Sequence, residues 1–395
     1  MGNASGVALQ FGAGNIGRGF VGQLLSQAGY SVVFVDVIDH LVDQMNQQGQ
    51  YTIKTVAPDQ TQRVVIKDVR AINGKDQAAV IEAVAEAQII TTAVGPNVLR
   101  HVAPAIAQGL EQRATAGEES PLNVIACENL IGNSTILYNY VQEHLAPDFR
   151  EYVNRYVGFP CCVVDKVVTN PNEADLREDA LIAVAEKGGK LIVDQDAFAG
   201  PLPVITGVQF TDNLDAYVEQ KIFTLNTAHA ITAYLGYLKR LEFVHQAIQD
   251  QEIRGLVSEA LTEVKAVLVK RHNLDPADQD QYSAGILRRF ENDTIPDPVV
   301  RVGREPVRKL SPDDRLVKPA VLAQAQSITP TGLATGIAAA LSYDNPDDEQ
   351  AVELQKSLRD RGLEATLREV SQLDADHPLV ALVRERLAVV QALAT

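Results

Sequence analysis

The stretch Val7-Ala8-Leu9-Gln10-Phe11-Gly12-Ala13-Gly14-Asn15-Ile16-Gly17 decides the predicted fold. A short apolar run leads directly into a Gly-x-Gly-x-x-Gly motif, and a helical pattern begins near Asn15. In this strand–turn–helix context the glycines permit a tight turn, a close approach of the backbone to a pyrophosphate, and close helix packing. The helix start adds free N–H donors and a positive dipole end. The sequence therefore predicts a dinucleotide site that includes Phe11, Gly12, Gly14, Asn15, Ile16 and Gly17.

An acidic residue narrows the choice of dinucleotide. The second apolar run ends in Asp36, about 20 residues after the glycines, where a carboxylate accepts both ribose hydroxyls of NAD. The same carboxylate repels the 2′-phosphate of NADP, and Val37 and Ile38 follow where an arginine would be needed. The predicted cofactor is NAD.

A later apolar run, residues 88–94, ends in residues predicted to border the cofactor. Because ligands of dinucleotide folds bind at the carboxyl edge of the sheet, we expect Thr92, Val94 and Gly95 to lie beside NAD. A plain strand-ending turn is the alternative, since Gly-Pro occurs in many loops.

The N-terminal half alternates β-branched runs with helical patterns, which is typical of a parallel sheet covered on both faces. Strands are predicted at residues 7–11, 32–36, 88–94 and 123–127, and helices at 16–28, 77–87, 98–110 and 134–145. We expect residues 51–56 and 63–69 to form an inserted antiparallel pair. Further runs are expected to extend the sheet, at residues 163–168, 181–185 and 190–193.

After about residue 200 the pattern becomes helical, at residues 215–238, 252–269, 317–340, 348–361, 363–372 and 378–393. The predicted fold class is therefore α/β. Residues 1–200 form an N-terminal Rossmann-type doubly wound sheet with extra strands. Residues 201–395 form a mainly α-helical C-terminal domain that carries substrate-binding and catalytic groups.

Composition excludes several classes of function. The 395 residues are enough for two domains, and a formal net charge of −16 disfavours nucleic acid and anionic membranes as partners. No apolar run reaches membrane-spanning length. The three cysteines offer neither a disulfide framework nor zinc-ligand spacing. We expect a cytoplasmic protein without a bound metal, and no obligate protein partner is implied.

Three polar residues interrupt an apolar helical pattern, at Lys221, Asn226 and His229. At 3.6 residues per turn they fall on one arc of about 140°. Burying an ammonium, an amide and an imidazole together costs several kcal/mol without partners. Catalysis is one explanation, because a desolvated lysine can take a proton from an alcohol while the other two hold its oxygen. Taken singly, each residue also fits a structural role.

The spacing of these three residues resembles the Lys-x-x-x-x-Asn-x-x-His motif of the polyol-specific long-chain dehydrogenases. Residues 11–20, 126–129, 164–166 and 301–311 are similar to the branch of that family that acts on mannitol 1-phosphate. The resemblance extends from residue 8 to beyond residue 336. It implies a metal-independent, NAD-dependent hydride transfer between mannitol 1-phosphate and fructose 6-phosphate.

The resemblance also implies residue roles. Lys221 would be the general base, Asn226 and Asn129 would stabilise the oxyanion, and His229 would orient the reacting oxygen. Glu128 would border the cofactor and Asp165 the substrate. The densest basic cluster in the chain is predicted to hold the substrate phosphate, and it includes Arg301, Arg304, Arg308 and Lys309. Ion pairs with neighbouring acids on a solvated face are the alternative.

Other functions remain open from the sequence. A mannitol 2-dehydrogenase-like or fructuronate reductase-like enzyme of the same family would act on a neutral polyol or a hexuronate. Tyr217 and Lys221 match the Tyr-x-x-x-Lys pair of short-chain dehydrogenases, but those enzymes are shorter and carry a different glycine motif. A non-catalytic NAD sensor is disfavoured by the Lys221 group, and a zinc enzyme by the absence of ligand spacing.

Overall fold

The computed structural model describes residues 6–57, 60–294 and 296–393. The chain divides into two compact units, Met1–Tyr217 and Val218–Thr395. The ends of the two predicted domains, residues 1–5 and 394–395, lie outside the described residues. No helix within the described ranges is long and apolar enough to cross a membrane.

A parallel sheet forms the centre of the first unit. The strands are, in chain order, β1 (Val7–Phe11), β2 (Ser31–Asp36), β3 (Gln50–Ala57), β4 (Gln60–Lys67), β5 (Val69–Asn73), β6 (Ile89–Thr92), β7 (Leu122–Ala126), β8 (Val157–Gly158), β9 (Cys162–Asp165), β10 (Val168–Thr169), β11 (Ala183–Glu186), β12 (Lys190–Asp194) and β13 (Val208–Thr211). The order β5-β2-β1-β6-β7-β8 makes one sheet, in which every pairing is parallel. β1 therefore lies between β2 and β6.

Helices cover both faces of this sheet. They are α1 (Gly22–Gln27), α2 (Asp39–Gln48), α3 (Gln77–Glu86), α4 (Leu99–Thr115), α5 (Asn133–His144) and α6 (Arg150–Tyr156), and a π-helical turn, Gly17–Val21, precedes α1. A further short helix, α7 (Glu173–Glu178), forms ion pairs with β3 and β4. Alternate residues of β1 and β2 enter different cores. Ala8 and Phe34 pack in one, while Leu9 and Val33 pack in the other. The doubly wound fold class is thereby confirmed.

Two smaller sheets correct part of the strand prediction. The runs near residues 163–168, 181–185 and 190–193 are strands, but they form the sheets β10-β11-β3-β4 and β13-β12-β9 instead of extending the parallel sheet. The predicted antiparallel pair is confirmed as β3 and β4. Period-2 patterning shows which face of a strand is buried but does not identify the neighbouring strand. The last strand, β13, also lies beyond residue 200.

The rest of the described chain is mainly helical. Its helices are α8 (Leu214–Gln220), α9 (Thr227–Leu238), α10 (Val244–Gln249), α11 (Gln251–His272), α12 (Pro276–Phe290), α13 (Val299–Gly303), α14 (Pro306–Lys309), α15 (Val317–Ala325), α16 (Thr331–Leu341), α17 (Glu349–Ser371) and α18 (Pro378–Leu393). The prediction of a single helix at 317–340 is wrong. Helix α15 ends at Ala325 and α16 begins at Thr331, because Pro330 interrupts the helical conformation. The separate helices at 348–361 and 363–372 meet at a kink at Gly362, where φ is +80°.

Helix α16 is the centre of the second unit. All residues from Gly332 to Leu341 are buried, and α16 packs against α9, α11 and α18. A helix that is apolar on every side is normally buried in this way. Glu263 of α11 accepts the N–H groups of Gly332 at 2.7 Å and Leu333 at 2.9 Å, so it caps the start of α16. Burial raises the pKa of Glu263.

Gly332 and Gly255 form a matched pair of helical glycines for testing this packing. A Cβ on Gly332 would lie 2.7 Å from the Cα of Ala260 in α11, so Gly332→Ala is expected to lower the free energy of unfolding by about 1–3 kcal/mol. A Cβ on Gly255 meets no atom within 4 Å, so Gly255→Ala is expected to raise it by about 0.5–1 kcal/mol. Urea denaturation followed by circular dichroism measures both. If both substitutions changed the free energy of unfolding in the same direction and by the same amount, the close contact of α16 with α11 would be contradicted.

Candidate functional site

The glycine loop joins β1 to the π-helical turn Gly17–Val21. Gly12 has a φ of +89°, and a Cβ there would lie 2.5 Å from the carbonyl oxygen of Ala93. A Cβ on Gly17 would collide with the carbonyl oxygen of Gly12. The turn itself thus requires Gly12 and Gly17. Around Gly14 the space is open, with no atom within 4 Å of a Cβ, so a ligand can approach the backbone there.

Asp36, the predicted ribose-binding acid, lies at the carboxyl end of β2 and contacts this loop. Its Oδ2 accepts the N–H of Ala13 at 2.8 Å, and its Oδ1 accepts the N–H of Ile38 at 3.1 Å. Each carboxylate oxygen has a further lone pair. The side chain can therefore hold the loop and still accept hydroxyl groups from a ligand.

Two buried polar residues, Gln10 and Arg18, also support the loop and were missed from the sequence. Gln10 donates from Nε2 to the carbonyl of Phe11 at 2.6 Å and accepts the hydroxyl of Thr91 at 2.5 Å. Arg18 donates to the carbonyl of Ala13. Burial lowers the pKa of Arg18. The available signal was a polar residue inside an otherwise apolar strand and a charged residue at the buried helix start.

Glu128 links the ends of β6 and β7. The side chain is buried, its Oε2 accepts the hydroxyl of Thr92 at 2.7 Å, and its Oε1 accepts the N–H of Val94 at 2.9 Å. Gly95 follows with a φ of +95°. The structure therefore brings Thr92, Val94 and Glu128 together at the carboxyl edge of the sheet, where Rossmann-type folds bind ligands. The sequence predicted that these residues border the cofactor, but no local pattern indicated that they bind one another.

Asn129 is exposed directly after Glu128. Two buried residues at the start of α5, both missed from the sequence, hold the loop that carries it. Asn133 donates to the carbonyl of Cys162 at 2.9 Å, and Ser134 donates to the carbonyl of Pro160 at 2.7 Å. These bonds fix the loop to the segment that leads into β9. The predicted substrate residue Asp165 is half-buried at the end of the same strand.

In the second unit, Lys221 and Asn226 are the first and last residues of a π-helical turn between α8 and α9. Such turns are rare insertions with i→i+5 hydrogen bonds and are frequent at functional sites. The predicted arc of about 140° assumed 3.6 residues per turn, and that period does not hold across this segment. Lys221, Asn226 and His229 are also half-buried, whereas Phe223 and Thr224 are fully buried.

His229 faces Asp297, an acid that the sequence did not single out. The Nε2 of His229 lies 2.9 Å from the Oδ2 of Asp297, and its ring stacks on Phe290 with a centroid distance of 4.9 Å. Arg301 binds the other oxygen, with its Nε at 2.9 Å and its Nη2 at 2.7 Å from Oδ1. Burial by itself would raise the pKa of Asp297. The hydrogen bond from His229 and the charge of Arg301 outweigh burial and hold the pKa of Asp297 below its usual range.

The predicted phosphate-binding cluster divides among different partners. Arg301 pairs with Asp297, and Arg308 pairs with Glu305 at 2.8 Å and Asp314 at 3.3 Å. Lys309 is buried and donates to the carbonyl of Arg304. Burial, together with nearby arginines, lowers the pKa of Lys309 to about 7. The side chain of Arg304 is exposed and forms no ion pair with any residue that the structure describes.

Thr227, also missed from the sequence, links the π-helical turn to this basic segment. Its hydroxyl contacts the carbonyls of Arg315 at 2.5 Å and Ile222 at 3.1 Å.

Over residues 6–57, 60–294 and 296–393, no group of three or more His, Cys, Asp or Glu side chains is arranged to hold a metal ion.

A glycine loop on a doubly wound sheet, an acid after the second strand and a helical second unit define a Rossmann-type dehydrogenase fold. The family model of the mannitol dehydrogenase Rossmann domain matches residues 7–207, and that of the mannitol dehydrogenase C-terminal domain matches residues 213–391. The chain belongs to the mannitol dehydrogenase family.

Curated relatives agree with this assignment, and two solved structures share the fold. The chain is 43% identical over 380 residues to a mannitol-1-phosphate 5-dehydrogenase of Brevibacillus brevis, covering 96% of this chain and 97% of the relative. It is 45% identical over 382 residues to the enzyme of that name from Bacillus velezensis, covering 96% and 99%. A substrate-free D-sorbitol dehydrogenase shares the fold with a TM-score of 0.84 at 19% identity, covering 98% of this chain and 94% of that chain. Pseudomonas fluorescens mannitol 2-dehydrogenase, in a ternary complex with NAD and D-mannitol, has a TM-score of 0.75 at 21% identity, covering 99% and 93%.

Substitutions of Glu128 test the hydrogen bonds at the sheet edge. Glu128→Ala removes the buried acceptor of the Thr92 hydroxyl and the Val94 N–H, so it is expected to lower the free energy of unfolding by about 2 kcal/mol or more. Glu128→Gln keeps an oxygen for Val94, and its amide can donate to the hydroxyl of Thr92, so the expected loss is about 1 kcal/mol. Urea denaturation compares the two. An equal loss in both variants would contradict this bonding pattern.

Proposed function

We propose that the chain is an NAD-dependent oxidoreductase that interconverts mannitol 1-phosphate and fructose 6-phosphate. One observation carries the proposal: Lys221, Asn226 and His229 lie on one helical segment of a chain that is 43% identical, over 96% of its length, to a mannitol-1-phosphate 5-dehydrogenase. The proposed substrate is a small sugar phosphate, and the proposed location is the cytoplasm.

NAD fits the residues of the first unit. The open space at Gly14 leaves room for a pyrophosphate beside the backbone. Asp36 places a carboxylate next to the loop, which suits ribose hydroxyls and opposes a 2′-phosphate. Arg18, a cation close to the loop, is buried and bonded to Ala13. When bound, the nicotinamide ring of NAD accepts a hydride and returns it in the reverse direction.

Residues of this chain handle the proton and the oxygen. Lys221 takes the proton from the hydroxyl whose carbon loses the hydride, and it returns that proton during reduction. Asn226 and Asn129 donate amide N–H groups to the oxygen as it becomes a carbonyl. His229 orients the substrate at the reacting carbon, and Asp165 lies near the polyol chain. No metal ion takes part in the proposed reaction.

Replacing Lys221 tests the general base. Lys221→Ala is expected to lower kcat with fructose 6-phosphate by about 10²- to 10⁴-fold, because no group then transfers the proton. NADH affinity is expected to stay within about threefold of wild type, since Asp36 and the glycine loop are unchanged. NADH absorbance measures turnover, and fluorescence titration measures cofactor binding. Lys270→Ala, at an exposed position of α11, is the matched control with wild-type kcat. A Lys221→Ala enzyme with kcat within tenfold of wild type would exclude this role.

Replacing Arg304 tests the phosphate contact. Arg304→Ala is expected to raise the KM for fructose 6-phosphate by at least about tenfold, because a charge-assisted bond contributes about 1.5–3 kcal/mol. Turnover of unphosphorylated fructose should not change. Arg308→Ala should raise KM less, because that guanidinium is already paired with Glu305 and Asp314. Arg359→Ala, at an exposed position of α17, is the control. Equal efficiency of the wild type on mannitol and mannitol 1-phosphate would argue for a neutral polyol instead.

A further inference from the structure

The backbone anchors Asp297 beside His229. Its carbonyl accepts the N–H of Val244 at 2.9 Å, and the following residue, Pro298, forms a β-bridge with Phe243. The N–H of Val299 then donates to the carbonyl of Glu242 at 3.0 Å. The Asp297 side chain is only 20% exposed. The carboxylate is therefore held at a fixed place in the second unit.

The two oxygens of this carboxylate have different partners. Arg301 donates two N–H groups to Oδ1, at 2.9 and 2.7 Å, and a guanidinium has no acceptor. Oδ2 lies 2.9 Å from the Nε2 of His229. Because an ionised carboxylate only accepts hydrogen bonds, Nε2 must carry the proton of this bond. A neutral imidazole has one ring proton, so its Nδ1 is then an acceptor.

We propose that Asp297, braced by Arg301, is a positioning residue that holds His229 in its Nε2–H tautomer and leaves Nδ1 to accept a hydrogen bond from a substrate hydroxyl. The stacking on Phe290, with an interplanar angle of 22°, fixes the plane of the ring. The tautomer itself follows from contacts within the second unit, whereas the hydroxyl contact rests on the proposed function.

This tautomer specifies what His229 recognises. An Nδ1 acceptor cannot donate to the carbonyl oxygen of a ketose, and the proton of the reacting hydroxyl goes to Lys221. The partner of Nδ1 is therefore a hydroxyl on a neighbouring carbon. This differs from the role that the family resemblance implies for His229, which is to orient the reacting oxygen itself. A polyhydroxylated chain satisfies this requirement, and a substrate without that neighbouring hydroxyl leaves Nδ1 unpaired, which penalises its binding.

Asp297→Asn is the decisive variant because Arg301 dictates how the new amide is oriented. Arg301 can bind only the amide oxygen, so the NH₂ group takes the place of Oδ2 and donates to Nε2. His229 must then carry its proton on Nδ1. We expect ring ¹⁵N chemical shifts of the ¹⁵N-histidine-labelled full chain at pH 8 to change from the Nε2–H to the Nδ1–H tautomer. His229→Gln assigns the signals among the seven histidines.

The same inversion should reduce activity without affecting the cofactor. We expect kcat/KM for mannitol 1-phosphate to fall by about 10- to 10²-fold in Asp297→Asn, because the substrate hydroxyl that donated to Nδ1 then faces an Nδ1–H and must turn its own proton away. NADH affinity should remain that of the wild type. Asp280→Asn is the matched control, because it breaks an exposed pair with Lys265 and should leave both the tautomer and kcat/KM unchanged.

A double variant separates this role from a merely structural one. In Asp297→Asn/Arg301→Ala the amide is free to turn its oxygen to Nε2, so the Nε2–H tautomer and part of the lost activity should return. Damage to the fold would only grow with the second substitution. Arg301→Ala alone keeps the carboxylate and should keep the tautomer, with a loss of less than about tenfold in kcat/KM.

Some outcomes would overturn the inference. One is that His229 of the wild type is doubly protonated, or carries its proton on Nδ1, at pH 8. The other is that His229 keeps the same tautomer in Asp297→Asn. The chemical shifts do not depend on turnover. If the chain were inactive on every polyol phosphate, the proposed function would fail while the effect of Asp297 on His229 could still be read.

Discussion

The close approach of Gly17 to the carbonyl oxygen of Gly12 is the constraint on which the first unit depends. No side chain fits between them, so the chain passes from the central strand into a helix within a few residues. Such a tight turn leaves backbone N–H and C=O groups inside the protein, where each needs a partner. Gln10 and Arg18 donate to loop carbonyls, and Asp36 accepts the N–H of Ala13. The polar residues buried here are a consequence of the turn.

The π-helical turns that the described residues contain, Gly17–Val21 and Lys221–Asn226, fall in segments that the sequence associates with chemistry. A π-helical turn departs from the α-helical period, and natural chains keep such departures mainly where function offsets their cost. The turn changes the direction in which later side chains point. A period of 3.6 therefore does not describe how Lys221, Asn226 and His229 are placed relative to one another.

Local patterns predicted what local forces determine. The apolar runs of β1 and β2 predicted the sheet, and the hairpin of β3 and β4 was predicted because its strands are close in sequence. The position of β11 beside β3 depends on packing between distant segments, which no local period contains. No local pattern indicated the contact of Asp297 with His229 either, because the two residues are 68 positions apart in the chain. Pro330 is the local signal for the break between α15 and α16, because a proline disfavours a helical conformation of the residue before it.

The basic cluster shows why the density of cations along a sequence is a weak guide to an anion site. Asp297 neutralises Arg301, and Glu305 and Asp314 neutralise Arg308. Burial lowers the pKa of Lys309 to about 7, and its ammonium group is bonded to the carbonyl of Arg304 in the chain itself. A phosphate would compete with these acids for each paired cation. Arg304 is exposed and forms no ion pair with a described residue, so a phosphate there would displace only water. In an acidic chain a single exposed arginine is therefore a better candidate than the cluster around it.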